Sequence, residues 1–152
     1  MLLNKKGLTL IEVLVALVIT LVLFLALMQT ALLSIDSNMK NLLRDEAVNI
    51  AEMRMNEARN LAFTETTDNL VSDTVSLAGA DCPTGFSATG VLVERNFRNI
   101  SDLDFCTNRT ISCPESTPCP SSPTMKQIDI TVGWRWKGEN YTHSVSTIVR
   151  RQ

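Results

Sequence analysis

One histidine, His143, is the whole imidazole complement of this 152-residue chain. That scarcity removes most histidine-based acid/base and metal chemistry. Basic charge is also sparse: 14 Lys and Arg against 16 Asp and Glu give a formal charge of −2, and the basic residues are scattered. An electrostatic footprint for nucleic acid is absent, so nucleic acid is not an expected partner. The four cysteines, Cys82, Cys106, Cys113 and Cys119, include no C-x-x-C pair. An even count without zinc-type spacing suits disulfides and points outside the cytosol. No enzyme chemistry, cofactor or metal is expected from this inventory.

Two further absences divide the chain. Residues 13–35 contain no charge at all, and residues 36–62 contain no glycine or proline. The average, 45% hydrophobic and 20% charged, resembles one ordinary globular domain. That average conceals a membrane-type segment joined to a polar head. The uncharged run is too long for a signal-peptide core, and no A-x-A-like site follows it. It is long enough to span a bilayer. Lys5 and Lys6 precede the run, which by the positive-inside bias places the N-terminus in the cytoplasm and the head across the membrane.

A plain anchor leaves Glu12 unexplained. A carboxylate inside a spanning helix costs about 2.5–3.5 kcal/mol at mid-membrane, and less near the end. Cleavage after Gly7 would make Leu8 the new N-terminus, four residues from Glu12. An α-amino group of ordinary pKa, about 7.7–8.0, is largely cationic near neutrality. If helices pack side by side with an axial offset, Glu12 of one copy meets the Leu8 amine of its neighbour. The charge then sets the register of assembly, because a partnered carboxylate is tolerated where a bare one is costly.

The string Lys5-Lys6-Gly7-Leu8-Thr9-Leu10-Ile11-Glu12-Val13-Leu14-Val15-Ala16 resembles the N-terminal signal of type IV prepilins and type II secretion pseudopilins. The resemblance implies cleavage between Gly7 and Leu8 by a membrane prepilin peptidase, methylation at Leu8, and a subunit-registering role for Glu12. The first mature residue departs from the usual Phe, since Leu8 stands there. Ala47, Ala51 and Met55, together with the closing strands, resemble PilV-type minor pilins more loosely. The function implied is a minor type IV pilin acting in pilus assembly or tip priming. The alternatives are a minor pseudopilin of type II secretion and an adhesive or DNA-uptake module. The implied partners are other pilin subunits through helix packing, the peptidase, and a pilus or secretion assembly platform. The implied location is the inner membrane, single-pass with a periplasmic head, and then the pilus or cell surface.

Past the run, good helix formers continue to residue 62, with apolar positions at Met39, Leu43, Ala47, Ile50, Ala51, Ala58, Leu61 and Ala62 near the 3.6 period. One helix of about 55 residues is expected, apolar all round in its first half and amphipathic in its second. Residues 63–90 read as an irregular crossover, and residues 91–97 as a first strand. A polar insertion is expected next, carrying Cys106, Cys113, Cys119 and four prolines within residues 114–123. Prolines at that density forbid a helix and discourage a central strand.

The clearest β signal closes the chain: Ile128, Ile130, Val132, Trp134 and Trp136 alternate with polar residues or glycine. A turn at residues 137–140 and a returning strand complete an expected hairpin packed on the amphipathic stripe. The fold class expected is α+β: a long N-terminal helix against a small antiparallel sheet, pilin-like. The domain plan is a leader at 1–7, an apolar assembly helix at 8–35, its amphipathic continuation at 36–62, and a head at 63–152. Of three cysteine pairings, loop length favours Cys113 with Cys119 and Cys82 with Cys106. Asp102, Asp104 and Glu94 read as solvated surface, because no Gly-punctuated calcium loop accompanies them.

Overall fold

The computed structural model describes residues 9–64, 66–97 and 100–151; for residues 100–102 it describes the backbone alone. The chain divides into two compact units, Met1–Asn41 and Leu42–Gln152, and the boundary falls inside the one helix. That helix, α1, spans Leu10–Arg59, 50 residues without glycine or proline. The expected boundary at residue 62 is three residues further on. Asn60 N–H donates to the carbonyls of Asn56 and Glu57, and Leu61 N–H to that of Ala58, which closes the last turn.

In the first unit α1 is apolar around its whole circumference. An 18-residue window here has mean hydropathy 3.0 and is 0% buried inside the chain, so by length and composition this helix can cross a membrane. Two hydroxyls in the run are satisfied locally. Thr20 Oγ1 donates to Ala16 O at 2.7 Å, and Thr30 Oγ1 to Leu27 O at 2.8 Å. Each bonds its own helix, so neither hydroxyl needs water or a neighbour as acceptor. Asp36 and Lys40 pair at 3.1 Å after the run ends.

In the second unit α1 buries Leu43, Ala47, Ile50, Ala51, Arg54, Met55 and Ala58, one stripe at helical spacing. Ala47, Ala51 and Ala58 are fully buried along this stripe, beside the larger Leu43 and Ile50. Burying each such aliphatic side chain is worth about 1.5–3 kcal/mol. The sheet is an antiparallel meander in the order β1-β2-β3-β4, with β1 Val91–Phe97, β2 Ile100–Ser112, β3 Met125–Trp136 and β4 Glu139–Arg150. Phe105, Ile128, Ile130, Val132 and Trp134 form its half of the core. The turn between β3 and β4 is only two residues, Lys137 and Gly138, at φ 51° and 83°. Positive φ at both positions gives a twist that matches the strands, and glycine takes the second position without a Cβ penalty.

β2 corrects the expectation of an irregular insertion after residue 97. It is 13 residues long and central, paired to β1 on one side and β3 on the other. Its alternation is masked because both faces are covered. Phe105 and Thr107 are fully buried on the helix side, and Cys106 is fully buried on the other. The prolines lie after the strand, in residues 113–124.

The crossover is irregular but firmly tied. Asp73 N–H donates to Arg109 O, Arg109 N–H to Asp73 Oδ2, and Ile111 N–H to Ser72 Oγ, at 2.8–2.9 Å. These contacts occupy the β2 edge beyond the point where β1 begins. The Asp73 carboxylate also holds Arg54 of α1 at 2.7 Å and the Arg109 guanidinium at 3.2 Å. Near the end of α1, Lys126 donates to Asp68 Oδ1 at 2.7 Å, Asp68 Oδ2 at 2.6 Å and Leu70 O at 2.7 Å, and it lies 4.8 Å from the Phe63 ring centroid. Buried charges therefore fasten the crossover to both helix and sheet.

Candidate functional site

Thr9, just before α1, caps the helix. Its Oγ1 accepts the Glu12 N–H at 3.3 Å, and its carbonyl accepts from Glu12 and Val13 at 3.0 and 3.2 Å. Thr9-Leu10-Ile11-Glu12 has the T-x-x-E spacing of a capping box, and the threonine half of that box is formed. Glu12 lies in the first helical turn, where a carboxylate meets the positive end of the helix macrodipole. Its location thus has a local cause besides the register argument. The T-x-x-E string carried that signal, and reading Glu12 only as a partner for an amine missed it. Lys5, Lys6, Gly7 and Leu8 lie outside the described residues.

Behind Glu12 the helix presents a continuous apolar surface. Leu10, Ile11, Leu14, Leu17, Leu21, Phe24 and Leu25 are each more than half exposed within the single chain. Soluble monomers rarely leave contiguous apolar area of this extent open, so the surface is built for lipid or for other helices. Its one carboxylate at the leading end is the only charge between Leu10 and Ile35.

The cysteines form two disulfides, Cys82–Cys106 with Cα atoms 5.6 Å apart and Cys113–Cys119 at 5.2 Å. The first pins residues 82–89 across the outer sheet face, where Pro83 and Phe86 sit on Gly133. A Cβ at Gly133 would lie 2.8 Å from the Phe86 ring and 2.9 Å from Pro83. Asn108 Nδ2 donates to Thr89 O at 2.5 Å beneath the same segment. The second disulfide closes the proline-rich loop between β2 and β3. There Thr124 donates through its hydroxyl and its N–H to the Glu115 carboxylate, and this holds the Glu115 pKa below its ordinary value.

The remaining residues singled out in the sequence are dispersed. Glu94 and Asp104 are cross-strand neighbours on β1 and β2, and Asp104 Oδ2 accepts the Asp81 N–H at 3.3 Å. The Asp102 side chain lies outside the described residues. His143 is half-buried on β4. Trp134 is buried, Trp136 half-buried, and Trp134 stacks on Tyr141 at 5.6 Å.

Helix and sheet define an α+β, pilin-like architecture. Residues 2–28 match the family described as the prokaryotic N-terminal methylation motif, the signal of type IV pilins and pseudopilins. That match covers 27 of the 152 residues and indicates processing of the pilin or pseudopilin type by a prepilin peptidase. No curated protein and no solved structure matches the chain.

Proposed function

We propose that the chain is a minor type IV pilin. It enters the inner membrane with its N-terminus in the cytoplasm, is cut between Gly7 and Leu8, and is methylated at Leu8. It then joins a pilus by its helix. The observation that carries this reading is the helix itself: apolar on every side, unburied by its own chain, and led by a single carboxylate one turn from the cut. In lipid, apolar contact does not favour one neighbour over another, so close packing and the pairing of Glu12 with a neighbour's amine supply the specificity. The two disulfides and the proline-rich loop suit a head that works outside the cytosol.

Mass spectrometry of the mature N-terminus tests the proposal. A chain starting at Leu8 with one added methyl group is expected, and an intact Met1 or a start beyond residue 26 refutes it. The methylation motif serves a type II secretion pseudopilin equally well. Co-purification with sheared pili, compared with co-purification with a secretion complex, separates the two.

A further inference from the structure

We propose that the free edge of β4 docks the β1 edge of a second copy of this chain held in the same orientation, so that the sheet continues from one subunit into the next. The inference deepens the pilin reading and rests on it for the shared orientation, because copies inserted in one membrane by the same signal face the same way.

The first observation is that β4 is an open edge without protection. It closes the sheet order β1-β2-β3-β4, and its 12 residues pair with β3 without a break in register. Exposed edges are ordinarily blunted by lysine, proline, a bulge or a covering segment. Glu139–Arg150 contains no lysine and no proline. Arg151 N–H donates to Thr124 O on the β3 side. Strand alternation therefore turns the N–H and C=O groups of Thr142, Ser144, Ser146, Ile148 and Arg150 away from the sheet. No backbone hydrogen bond among the described residues takes up these outward groups.

The second observation is the direction of the opposite edge. Each strand of the meander runs against the one before it, so four strands leave β1 and β4 running in opposite directions. A copy displaced sideways in the same orientation thus offers its β1 antiparallel to β4. On β1, Gly90 N–H donates away from β2 to Val75 O, which places the next outward groups on Leu92 and Glu94. Main-chain bonds supply affinity in strand addition, and side chains fix the register. Because the contact joins two different surfaces, it repeats from copy to copy without closing, as a filament requires.

Charge selects β1 as the occupant. Val93 pairs with Phe105 on the helix face, and Thr147 meets Arg59 of α1, so Glu94 and Arg150 both lie on the outer face. Both are exposed, and neither joins a salt bridge among the described residues. Glu94 instead stands opposite Asp104, a like-charge pair that a cation relieves. With Glu94 of the second copy opposite Ile148, Arg150 lies on its diagonal, within reach of a long side chain. Leu92 then lies on the diagonal of Ile148, which is 57% exposed in the single chain. On the helix face Val93 meets Val149, and Arg95 meets Thr147 while keeping Glu46. Pairing two β4 edges about Val145 would instead oppose Arg150 with Asn140, leave Glu94 without a cation and reverse one copy.

The test uses the full-length chain in its own membranes and in sheared filaments, with a benzophenone amino acid in place of Ile148 or, in a second variant, of Ser146. Illumination should give a species of twice the chain mass, whose cross-linked peptide contains Leu92 to Arg95 of the second copy. Glu94→Arg should lower that yield roughly fivefold, and adding Arg150→Glu should restore it. A cross-link to the β4 peptide, or to a different protein, overturns the β1 pairing. So does a yield that Glu94→Arg leaves unmoved or that the double variant fails to restore. A chain that starts at Leu8 and enters filaments, yet cross-links from neither position, overturns the edge contact and leaves the pilin reading standing. A chain that keeps Met1 and is absent from filaments overturns both.

Discussion

Asp73→Asn is the substitution that most directly tests how the head holds together. The Asp73 side chain is 7% exposed and lies between Arg54 and Arg109, themselves 10% and 13% exposed. Asparagine keeps the volume but removes the charge, and its amide NH2 must point at one guanidinium as donor against donor. Arg54 retains Glu57 at 2.9 Å, which is half exposed, whereas Arg109 has Asp73 as its only salt-bridge partner among the described residues. The buried Nε of each arginine already lacks a partner among the described residues, so removing the carboxylate adds to donors that are already unmet. Breaking a buried pair from one side costs about 3–5 kcal/mol, a large share of the roughly 5–15 kcal/mol that holds a domain folded. The full chain in mild detergent, unfolded by urea and followed by tryptophan emission, should show a much lower midpoint. Asp81→Asn is the control: it breaks a pair whose side chains are 65% and 40% exposed, and it should cost no more than about 1 kcal/mol. Equal midpoints for the two variants would refute the claim that Asp73 fastens the crossover.

Gly133→Ala should push Phe86 and Pro83 off the sheet and cost about 1–3 kcal/mol, read as a lower urea midpoint together with faster amide exchange in residues 82–89. The Glu115 carboxyl, titrated by carbon-13 NMR, should have its midpoint below 4.5, and Thr124→Val should bring it back up. Because the folded pKa is the lower one, any stability from this contact is complete above about 4.5 and is lost as pH falls through the folded value. Cys113→Ser with Cys119→Ser should cost less than Cys82→Ser with Cys106→Ser, roughly 2 against 3 kcal/mol from loop length alone, measurable as the separation of their urea midpoints. Glu12→Gln should leave cleavage and membrane insertion intact and reduce recovery of the subunit in sheared filaments.

The parts of this fold legible in the sequence are those where a single face is buried. β3 and β4 alternate cleanly because one side meets α1 and the other meets solvent or a thin covering segment. The stripe from Leu43 to Ala58 repeats at helical spacing for the same reason. β2 resisted reading because Cys106 and Thr107 point to opposite faces and are both fully buried, and because Arg109 is compensated by Asp73, 36 residues away. No local pattern records such a partnership. Asp68 with Lys126 is a second case, across 58 residues. At Glu12 the opposite holds: the capping relation to Thr9 is written three residues upstream, and attention to a distant amine obscured it.

The unburied run has a consequence for how damage to this protein would present. Residues 10–35 bury nothing within their own chain, so a lesion there takes no contact away from the core around Phe105 and Ile130. Such a lesion should leave cellular abundance near normal while removing the subunit from shear fractions. A lesion at Asp73, Gly133 or Cys106 should act the other way, lowering abundance through proteolysis and sparing whatever copies still fold. Quantifying total protein and filament-associated protein side by side would therefore sort an unselected collection of mutations between the two units.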